Sequence, residues 1–464
     1  MVVPHTAPPL PPPVVDTKPA PVYALTGGVL FSSSTEKMAE AVLIDMFSLE
    51  FTSHHCIKQF LDAAMKIVLL KSGTAASSIY IIYCQSFGCD NNDARDVFLH
   101  AIRAFQGLRK HVELISTAGV TATLYNVKQK LDEKNISRVQ IILPKSRTCL
   151  MKAFIDRLFT QVYAFDYELL ELSYCETENA SQPSKDQTFT EKQLELVECD
   201  IQIFLGTLPG KGEMTILKSP LIPENTFNHG FTTRCGGVSY IPELSSLNLY
   251  SSNNRKDSPA VVSENLRRLS MAVGFNHKNF HLVKAAHASD VWIMGKNEPD
   301  SYDGIVTNQK GVTVAAPGAD CIPMLFSDPV NKAFGAAHSG WKGTLLGISM
   351  ATVNAMISEY GSDVKDILVV LGPSVGPCCF TLTREEAKAF YDIDQQCVRQ
   401  LESSNPNVDI RKATRILLER GGILPTNIED KLALCTSCNQ DLFFSHTRDG
   451  ENFGTQIGFI AVKN

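Results

Sequence analysis

The chain has 464 residues, of which 44% are hydrophobic and 20% charged, the composition of a globular protein long enough for two or three domains. Its net charge of −6 and pI near 6.0 argue against a broad nucleic-acid-binding surface. No export signal and no apolar run of about 18 residues is visible. We therefore expect a cytoplasmic protein without a membrane span, whose 13 cysteines are reduced.

The first 37 residues are rich in proline, as in the stretch PHTAPPLPPPVVDTKPAPV. Such a composition buries too little apolar surface to offset its chain entropy, so we expect residues 1–37 to be a disordered tail. A proline-motif ligand for a partner domain is the alternative interpretation. Met38 opens an ordinary globular sequence and is a candidate alternative start.

Residues 38–210 predict an N-terminal α/β domain. The strand candidates are SSIYIIYC and RVQIILPK, with HVELIST and YELLELSY as weaker ones, and the helix candidates are DARDVFLHAIRAFQGL, TATLYNVKQKLDEK and TCLMKAFIDRLFTQVYAF. Their alternation predicts a small, mostly parallel sheet covered by helices. This half has no nucleotide-phosphate loop motif, and docking, oligomerisation or regulation are its default roles. Its cysteines and histidines are interpreted as structural, namely His54, His55, Cys56, Cys84 and Cys89.

A helix with Thr190 as its N-cap residue is predicted at the end of this half. The stretch LPGKGEM is predicted to be the linker to a second domain, residues 214–464. This domain is predicted to be mixed α/β, with polar turns after nearly every strand. The helix TLLGISMATVNAMISEYG is expected to end at Gly361. The stretches LALCTSCNQDLFFSHTRDG and FGTQIGFIAV are interpreted as closing strands.

The strongest candidate site lies in Gly311–Thr344, where two loops are predicted to carry Cys321 and His338. His287 lies upstream, also directly after an apolar run. The three residues are 34 and 17 positions apart, too far for a zinc finger, whereas a catalytic zinc takes three such ligands and leaves a fourth position open. Each residue taken singly could be an ordinary core cysteine or histidine, but all three stand at apolar-to-polar breaks.

Neighbouring polar residues extend this candidate site. Asp320 and Asp290 could orient the ligands, or could be turn residues. HSGWKGT precedes a helix, so Lys342 and the backbone N–H groups there would form an anion cradle. The residues assigned to phosphate are Gly340, Lys342, Gly343 and Thr344. Arg234 could add a second positive charge, with a solvated surface arginine as the alternative.

Four further cysteines follow the predicted metal site. Cys435 and Cys438 form a Cys-x-x-Cys pair without a second pair, so two free thiols are preferred over a structural zinc or a redox pair. Cys378 and Cys379 are adjacent and are interpreted as structural.

Several motifs resemble, in order, the laccase-like multicopper polyphenol oxidase family: HGFTTR, SLNL, the histidine of KAAHASD, YDGIVT, GADCIPML, AHSGWKGT, GPSVGPCCF and FFSHTRDG. The match covers roughly residues 220–464. The chain as a whole, apart from the extension before Met38, resembles vertebrate members, in which an α/β half precedes this domain. The family pattern near the end has threonine-glycine-arginine, whereas this chain has Phe453-Gly454-Thr455-Gln456, which leaves the task of that arginine open.

The resemblance implies a zinc enzyme, a purine nucleoside phosphorylase acting on adenosine, inosine, guanosine and S-methyl-5′-thioadenosine, with adenosine deaminase activity. It places the zinc ligands on His287, Cys321 and His338, and leaves Asp320 and Asp303 as alternative acid–base residues. It also implies peroxisome association and a role in immunity and inflammatory responses. The usual deaminase signature, His-x-Glu with Pro-Cys-x-x-Cys, is absent, so any deamination would use a different scaffold.

The histidine content argues against the copper chemistry in the family's label. A multicopper oxidase needs on the order of ten imidazole ligands, many in His-x-His pairs. The chain has 11 histidines, none in such a pair, and only six lie after residue 120. A copper oxidase, and a scaffold whose metal site is residual and whose first half recruits a protein partner, remain the alternatives.

Overall fold

A computed structural model of the chain describes residues 40–47, 54–71, 78–84, 99, 102–103, 105, 111–171 and 190–463. The predicted tail over residues 1–37, most of the helix predicted over residues 93–108, and Cys89 lie outside these residues, as does the Cys84 side chain. Within the described residues, no helix is both long and apolar enough to cross a membrane.

The N-terminal half contains a five-stranded sheet in the order β3-β2-β1-β4-β5, in which every pairing is parallel. Its strands are β1 Ala41–Asp45, β2 Ser78–Cys84, β3 His111–Thr117, β4 Arg138–Pro144 and β5 Ala164–Leu170. The predicted parallel sheet is confirmed, as are the strands predicted around β2, β3 and β4. The strand predicted over residues 167–174 overlaps β5, and its residues 172–174 lie outside the described residues. The first strand, AVLID, is fully buried at the centre of the sheet and was not predicted.

Helices cover both faces of this sheet, and separate apolar cores lie on its two sides. They are α1 His54–Lys71, α2 Val120–Glu133, α3 Thr148–Leu158 and α4 Glu191–Thr207. The helix predicted over residues 148–165 is too long, because it ends at Leu158 and Phe159 is extended. The aromatic rings that follow pack on one another, and the backbone pairs with β4 as an edge strand. Helix α4 begins at the predicted cap Thr190, which forms a capping box with Gln193.

The C-terminal half contains two larger sheets, ordered β17-β14-β12-β13-β10-β9 and β6-β7-β18-β11-β8, and a two-stranded β15-β16 pair. The strands are β6 Ile216–Leu217, β7 Phe227–Thr232, β8 Phe280–Leu282, β9 Val291–Ile293, β10 Gly304–Thr307, β11 Thr313–Gly318, β12 Ile322–Asp328, β13 Ala333–Ser339, β14 Leu368–Leu371, β15 Val398–Arg399, β16 Asn407–Val408, β17 Ile428–Glu429 and β18 Gln456–Val462. The C-terminal half is mixed α/β, as predicted, with both parallel and antiparallel pairings in its two large sheets.

The helices of this half are α5 Pro259–Val273, α6 Trp341–Leu346, α7 Ile348–Tyr360, α8 Arg384–Ile393, α9 Ile410–Arg420 and α10 His446–Asp449. Gly361 ends α7 in a left-handed conformation, as predicted. The single helix predicted over residues 344–361 is wrong at its start, because the left-handed Gly347 separates α6 from α7. The stretch LALCTSCNQDLFFSHTRDG was predicted to be a strand, but it forms turns and α10. In this stretch the hydroxyls of Thr436 and Ser445 donate to the Asp320 carboxylate.

The two large sheets pack face to face and are covered on their outer sides by helices. One core contains residues of both sheets, such as Leu325 and Ile460. On β12 the neighbours of Leu325, Met324 and Phe326, point the other way into a core shared with α7 and α9. This alternation is the two-residue period of a strand buried on both faces.

A buried polar cluster joins the two halves. The Lys128 ammonium lies 2.9 Å from an Asp132 oxygen and 3.1 Å from the hydroxyls of Tyr163 and Tyr240. Both tyrosines donate to the Asp132 carboxylate. Lys128 is only 1% exposed, so burial lowers the pKa of its amine although Asp132 acts in the opposite direction. The predicted division at residues 210–214 is thus crossed by the contacts of Tyr240 with the buried Lys128–Asp132 ion pair.

Candidate metal centre

The site lies where the chain passes from one large sheet to the other. Strand β11 belongs to the five-stranded sheet and β12 to the six-stranded sheet, and the turn between them carries Asp320 and Cys321. Ile322, directly after Cys321, is paired with Ser339 in the antiparallel β12–β13 ladder, which places His338 beside the cysteine. His338 was predicted on a loop, but it is the penultimate residue of β13, because its backbone continues the ladder opposite Pro323.

His287 reaches the same place from the loop between β8 and β9. Its backbone has a positive φ of 58°, uncommon for a residue with a side chain. The loop wraps around the Asp303 carboxylate, which accepts N–H groups from Ala286 (3.0 Å), His287 (3.1 Å) and Ala288 (2.8 Å). Three amides pointing at one buried carboxylate offset the cost of this backbone conformation.

The three predicted ligands lie together in the structure. One donor atom from each of His287, Cys321 and His338 lies within 4.8 Å of the others. His338 is buried, Cys321 is half-buried and His287 is exposed, so the group opens towards solvent on the His287 side. A Cβ built on Gly340 would lie 2.8 Å from His287 Nδ1 and 3.0 Å from Cys321 Sγ. The absent side chain of Gly340 therefore leaves room beside the donor atoms.

Asp303 also fixes the ring of His338. Its Oδ1 lies 2.8 Å from His338 Nδ1, and the His338 backbone N–H donates to the Asp303 carbonyl at 2.7 Å. Since an ionised carboxylate only accepts, Nδ1 carries a proton, and the neutral ring that binds a metal would present its lone pair on Nε2. This carboxylate–histidine arrangement is typical of metal-binding histidines.

The electrostatics favour a thiolate at Cys321. Burial raises the pKa of the Cys321 thiol, but His338, by its charge and hydrogen bond, and the hydrogen bond with His287 outweigh burial and bring the pKa to about 6. Burial lowers the pKa of His338, but Cys321 and Asp303 raise it to about 10. Burial likewise raises the pKa of Asp303, yet the hydrogen bond with His338 and the backbone amides hold it below its usual range.

Asp320 adopts a positive φ of 98° and its carboxylate accepts three hydrogen bonds. Oδ1 accepts from the hydroxyls of Thr436 (2.6 Å) and Ser445 (2.7 Å), and Oδ2 accepts from the Thr447 backbone N–H (2.6 Å). These contacts hold the turn that presents Cys321. Asp290 is exposed, and its backbone carbonyl accepts from Asp303 N–H at 2.9 Å.

The residues predicted to bind phosphate form the start of α6. The first intrahelical bond runs from Thr344 N–H to the Gly340 carbonyl at 2.9 Å, so the amides before it point out of the helix end. Gly343 and Thr344 are buried, and the Thr344 hydroxyl donates to the Gly340 carbonyl. Lys342 is exposed, with its amine 5.3 Å from the centre of the Trp341 ring.

Arg234 is engaged in holding loops together. Its guanidinium donates to the backbone carbonyls of Ser245 (3.0 Å), Gln440 (2.8 Å) and Pro242 (2.9 Å) and lies over the Phe444 ring. Burial lowers the pKa of its guanidinium. The structure thus gives Arg234 three protein acceptors, and its predicted role in phosphate binding stays a prediction.

Sequence reasoning missed Arg255. Its Nη1 donates to the Thr455 hydroxyl at 2.9 Å, and its guanidinium lies 3.7 Å from the centre of the Phe453 ring. Phe453 also contacts His446, which precedes the Thr447 amide bound to Asp320. Arg255 therefore contacts the segment in which the family pattern has an arginine and this chain has Thr455-Gln456. No short-range sequence signal connects these residues, because 200 positions separate them.

The region that contains this site is similar to known proteins. Residues 228–463 match the sequence profile of the family described as multi-copper polyphenol oxidoreductase laccase. Purine nucleoside phosphorylase LACC1 of Homo sapiens is 53% identical over 431 residues, covering 92% of this chain and 100% of that protein. The protein of the same name in Mus musculus is 52% identical over 432 residues, with the same coverage.

Bacterial relatives are similar over about half of the chain. Purine nucleoside phosphorylase YlmD of Bacillus subtilis is 32% identical over 250 residues, covering 50% of this chain and 88% of that protein. The crystal structure of YlmD from Geobacillus stearothermophilus covers 53% of this chain and 94% of its own, with 29% identity and a TM-score of 0.48. On the profile match and the nearly full-length relatives, the chain belongs to the multi-copper polyphenol oxidoreductase laccase family.

Proposed function

We propose that this protein is a zinc-dependent purine nucleoside phosphorylase that acts on adenosine, inosine, guanosine and S-methyl-5′-thioadenosine and also deaminates adenosine. The observation that carries the proposal is the convergence of His287, Cys321 and His338, backed by Asp303, in a chain 53% identical to a protein named purine nucleoside phosphorylase. In this reaction a phosphate oxygen bonds to C1′ of the ribose while the bond from C1′ to the purine nitrogen breaks.

The donor set fits zinc. One thiolate and two imidazoles, the space left by Gly340, and an opening on the His287 side correspond to a three-ligand catalytic site with a free fourth position. When bound, the ion supplies Lewis-acid polarisation of a substrate oxygen. The protein's own part is to hold the thiolate between two imidazoles and, through Asp303, to keep the Nε2 lone pair of His338 directed at the site.

A copper protein is the second candidate, because two histidines and one cysteine also form blue-copper sites. A multicopper oxidase would need additional clustered imidazoles. Of the other histidines in the C-terminal half, His229 is hydrogen-bonded to Ser219, His281 packs on Trp292 and His446 packs on Phe453. Because these histidines lie in separate environments, they support a single catalytic ion at the His287–Cys321–His338 centre rather than a copper cluster. Metal analysis distinguishes zinc from copper at that centre.

We assign phosphate binding to the start of α6, where the exposed Lys342 would supply the positive charge and the backbone amides around Gly343 would be the hydrogen-bond donors. Gly340 touches the metal ligands, so an anion at this helix end would lie beside the metal. We expect Lys342→Met to raise the KM for phosphate about tenfold, since one charge-assisted hydrogen bond is lost, and to change kcat little. The exposed Lys388→Met is the matched control. An unchanged KM for phosphate would exclude this assignment.

The N-terminal residues 38–210 are proposed to form a domain that recruits a protein partner, with residues 214–464 as the catalytic domain. The recruiting role is supported by Leu196 and Ile203 on α4, which are 62% and 65% exposed and lie two helical turns apart. A cytoplasmic location with peroxisome association and a role in inflammatory responses belong to the same proposal. Loss of partner capture in Leu196→Glu/Ile203→Glu, with catalysis intact, would support it.

The decisive experiment is an assay of inosine with and without inorganic phosphate, together with metal quantification. Wild-type protein should release hypoxanthine and ribose 1-phosphate only when phosphate is present, and should release ammonia from adenosine. Cys321→Ala should lose both activities and the catalytic metal. Cys149→Ala changes an exposed cysteine that is not one of the three proposed metal ligands, so it should keep both activities and the metal. Metal-loaded wild-type protein that turns over no nucleoside would refute the proposed function.

A further inference from the structure

A second group of four cysteines lies in the C-terminal half, apart from the candidate catalytic metal centre. Cys378 and Cys379 follow β14, and Cys435 and Cys438 lie in the turns before α10. Their donor atoms all lie within 4.8 Å of one another. Cys438 Sγ is 3.5 Å from Cys378 Sγ and 3.4 Å from Cys379 Sγ. The four cysteines are free in the structure, and it was not predicted from the sequence that Cys378 and Cys379 would lie beside Cys435 and Cys438.

Backbone hydrogen bonds bring the two cysteine-bearing segments together. Ser374 N–H donates to the Leu434 carbonyl and Thr436 N–H donates to the Ser374 carbonyl, each at 3.1 Å. Gly376 N–H points at Cys435 Sγ at 3.3 Å. These backbone hydrogen bonds fix the two segments relative to each other independently of the sulfur contacts. The main chain therefore positions the four thiols.

The space around the sulfurs is also shaped for them. A Cβ built on Gly376 would lie 3.2 Å from Cys378 Sγ and 3.3 Å from the Cys435 Cβ, so a larger residue here would crowd the two cysteines. The same Cβ would lie 2.7 Å from Arg411 Nη2. A guanidinium thus flanks the group, where it would balance the negative charge of several thiolates.

We propose that Cys378, Cys379, Cys435 and Cys438 bind one zinc ion as a closed tetrathiolate structural site. Four sulfurs about 2.3 Å from a tetrahedral zinc ion lie about 3.8 Å from one another, close to the sulfur separations here. A disulfide needs about 2.05 Å, so the spacing favours an ion over a covalent pair. Binding would release the thiol protons to solvent, and the four ligands would leave no open position for substrate.

The proposed zinc ion would stabilise the catalytic centre through the hydrogen bonds to Asp320. Thr436 lies between Cys435 and Cys438, and its hydroxyl donates to Asp320 at 2.6 Å. Asp320 holds the positive-φ turn that presents Cys321. Fixing the Cys435–Cys438 turn would therefore fix one of the three donors to the Asp320 carboxylate. The site is structural, and its existence does not depend on which reaction the protein catalyses.

Zinc content of the full-length protein, purified without chelators, tests the proposal. We expect two zinc ions per chain in the wild type and one in both Cys438→Ser and Cys321→Ala, while the exposed Cys149→Ser keeps two. Cys438→Ser should also have a lower thermal midpoint with the Cys321 metal retained. One zinc ion in the wild type, lost in Cys321→Ala and kept in Cys438→Ser, would overturn the proposal.

A second measurement covers the case in which Cys438→Ser fails to fold. In wild-type protein, alkylation followed by peptide mass mapping should show the four cysteines protected, and a zinc chelator should expose them. Substitution with cobalt(II) should give thiolate-to-cobalt charge-transfer absorption too intense for the single thiolate of Cys321. Disulfide-linked peptides joining these cysteines, or ready alkylation before chelation, would show a redox pair or free thiols and refute the tetrathiolate site.

Discussion

Asp303→Asn should weaken metal binding at the His287–Cys321–His338 centre by about 10- to 100-fold. The wild-type carboxylate accepts four N–H groups, two at each oxygen, from the loop that carries His287 and from the His338 ring. An amide has only one accepting oxygen, so two donors lose their acceptor in either orientation, at about 1.5–3 kcal/mol each. If the amide nitrogen faces Nδ1, the ring is driven to the tautomer with its proton on Nε2, the atom needed for the metal.

The measurement is competition for zinc against a chelator of known affinity, with circular dichroism to show that the fold is intact. Asp300→Asn makes the same chemical change at an exposed carboxylate three residues away and should leave the affinity unchanged. A value for Asp303→Asn within twofold of wild type would show that Asp303 does not orient the ligands. Loss of activity with unchanged zinc affinity would instead favour its alternative role as the acid–base residue.

Three further tests address other parts of the structure. Gly340→Ala should abolish metal binding at the catalytic centre, since its Cβ would lie 2.8 Å from His287 Nδ1. In metal-stripped protein, the alkylation rate of Cys321 should rise with a midpoint at about pH 6, because its thiol has a pKa of about 6 and the thiolate is the form present above it, and zinc should suppress the reaction. Lys128→Met should lower the free energy of unfolding by about 1–3 kcal/mol, measured by urea denaturation, because the buried Asp132 carboxylate loses the nearer of its two cations and keeps only Lys256.

Each of these tests has a matched control variant or an outcome that would contradict it. Gly119→Ala adds a Cβ that meets nothing within 4 Å and should bind metal normally. An alkylation midpoint at the ordinary thiol value of about 8.5 would mean that the histidines do not stabilise the Cys321 thiolate. Lys388→Met removes an exposed lysine and should leave stability unchanged, and an equal loss in both lysine variants would refute the buried-pair argument.

Local patterns were sufficient to predict much of the fold. The apolar, β-branched runs around Ile81 and Ile141 are central strands of a parallel sheet, and the capping signal at Thr190 marks the start of α4. The helix predicted over residues 148–165 was wrong at its end, because the pairing of β5 with β4 outweighs the helical spacing of its apolar residues. Edge strands depend on a partner that is distant in sequence, and single-segment patterns do not contain that information.

The same reasoning explains which site residues could be found. His287, Cys321 and His338 each follow or end an apolar strand, so their convergence was predictable from the breaks in hydrophobicity. The grouping of Cys378 with Cys438 was not, because 60 positions and a tertiary contact separate them. Asp320 was predicted as a ligand orienter or an acid–base residue, and only the structure reveals the three donors around its carboxylate.

The N-terminal half contributes to the site region through the loop that carries Arg255. The Thr160 hydroxyl donates to the Arg255 backbone carbonyl at 2.6 Å, and the Lys256 ammonium lies 3.4 Å from the Asp132 carboxylate. Arg255 in turn donates to Thr455, on the segment beside His446 and the Asp320 network. Because removing the N-terminal half would leave this loop without its Thr160 and Asp132 contacts, the second half alone would have a different Arg255 environment. These contacts therefore join the two halves into one structural unit, in which the N-terminal half positions the loop that carries Arg255.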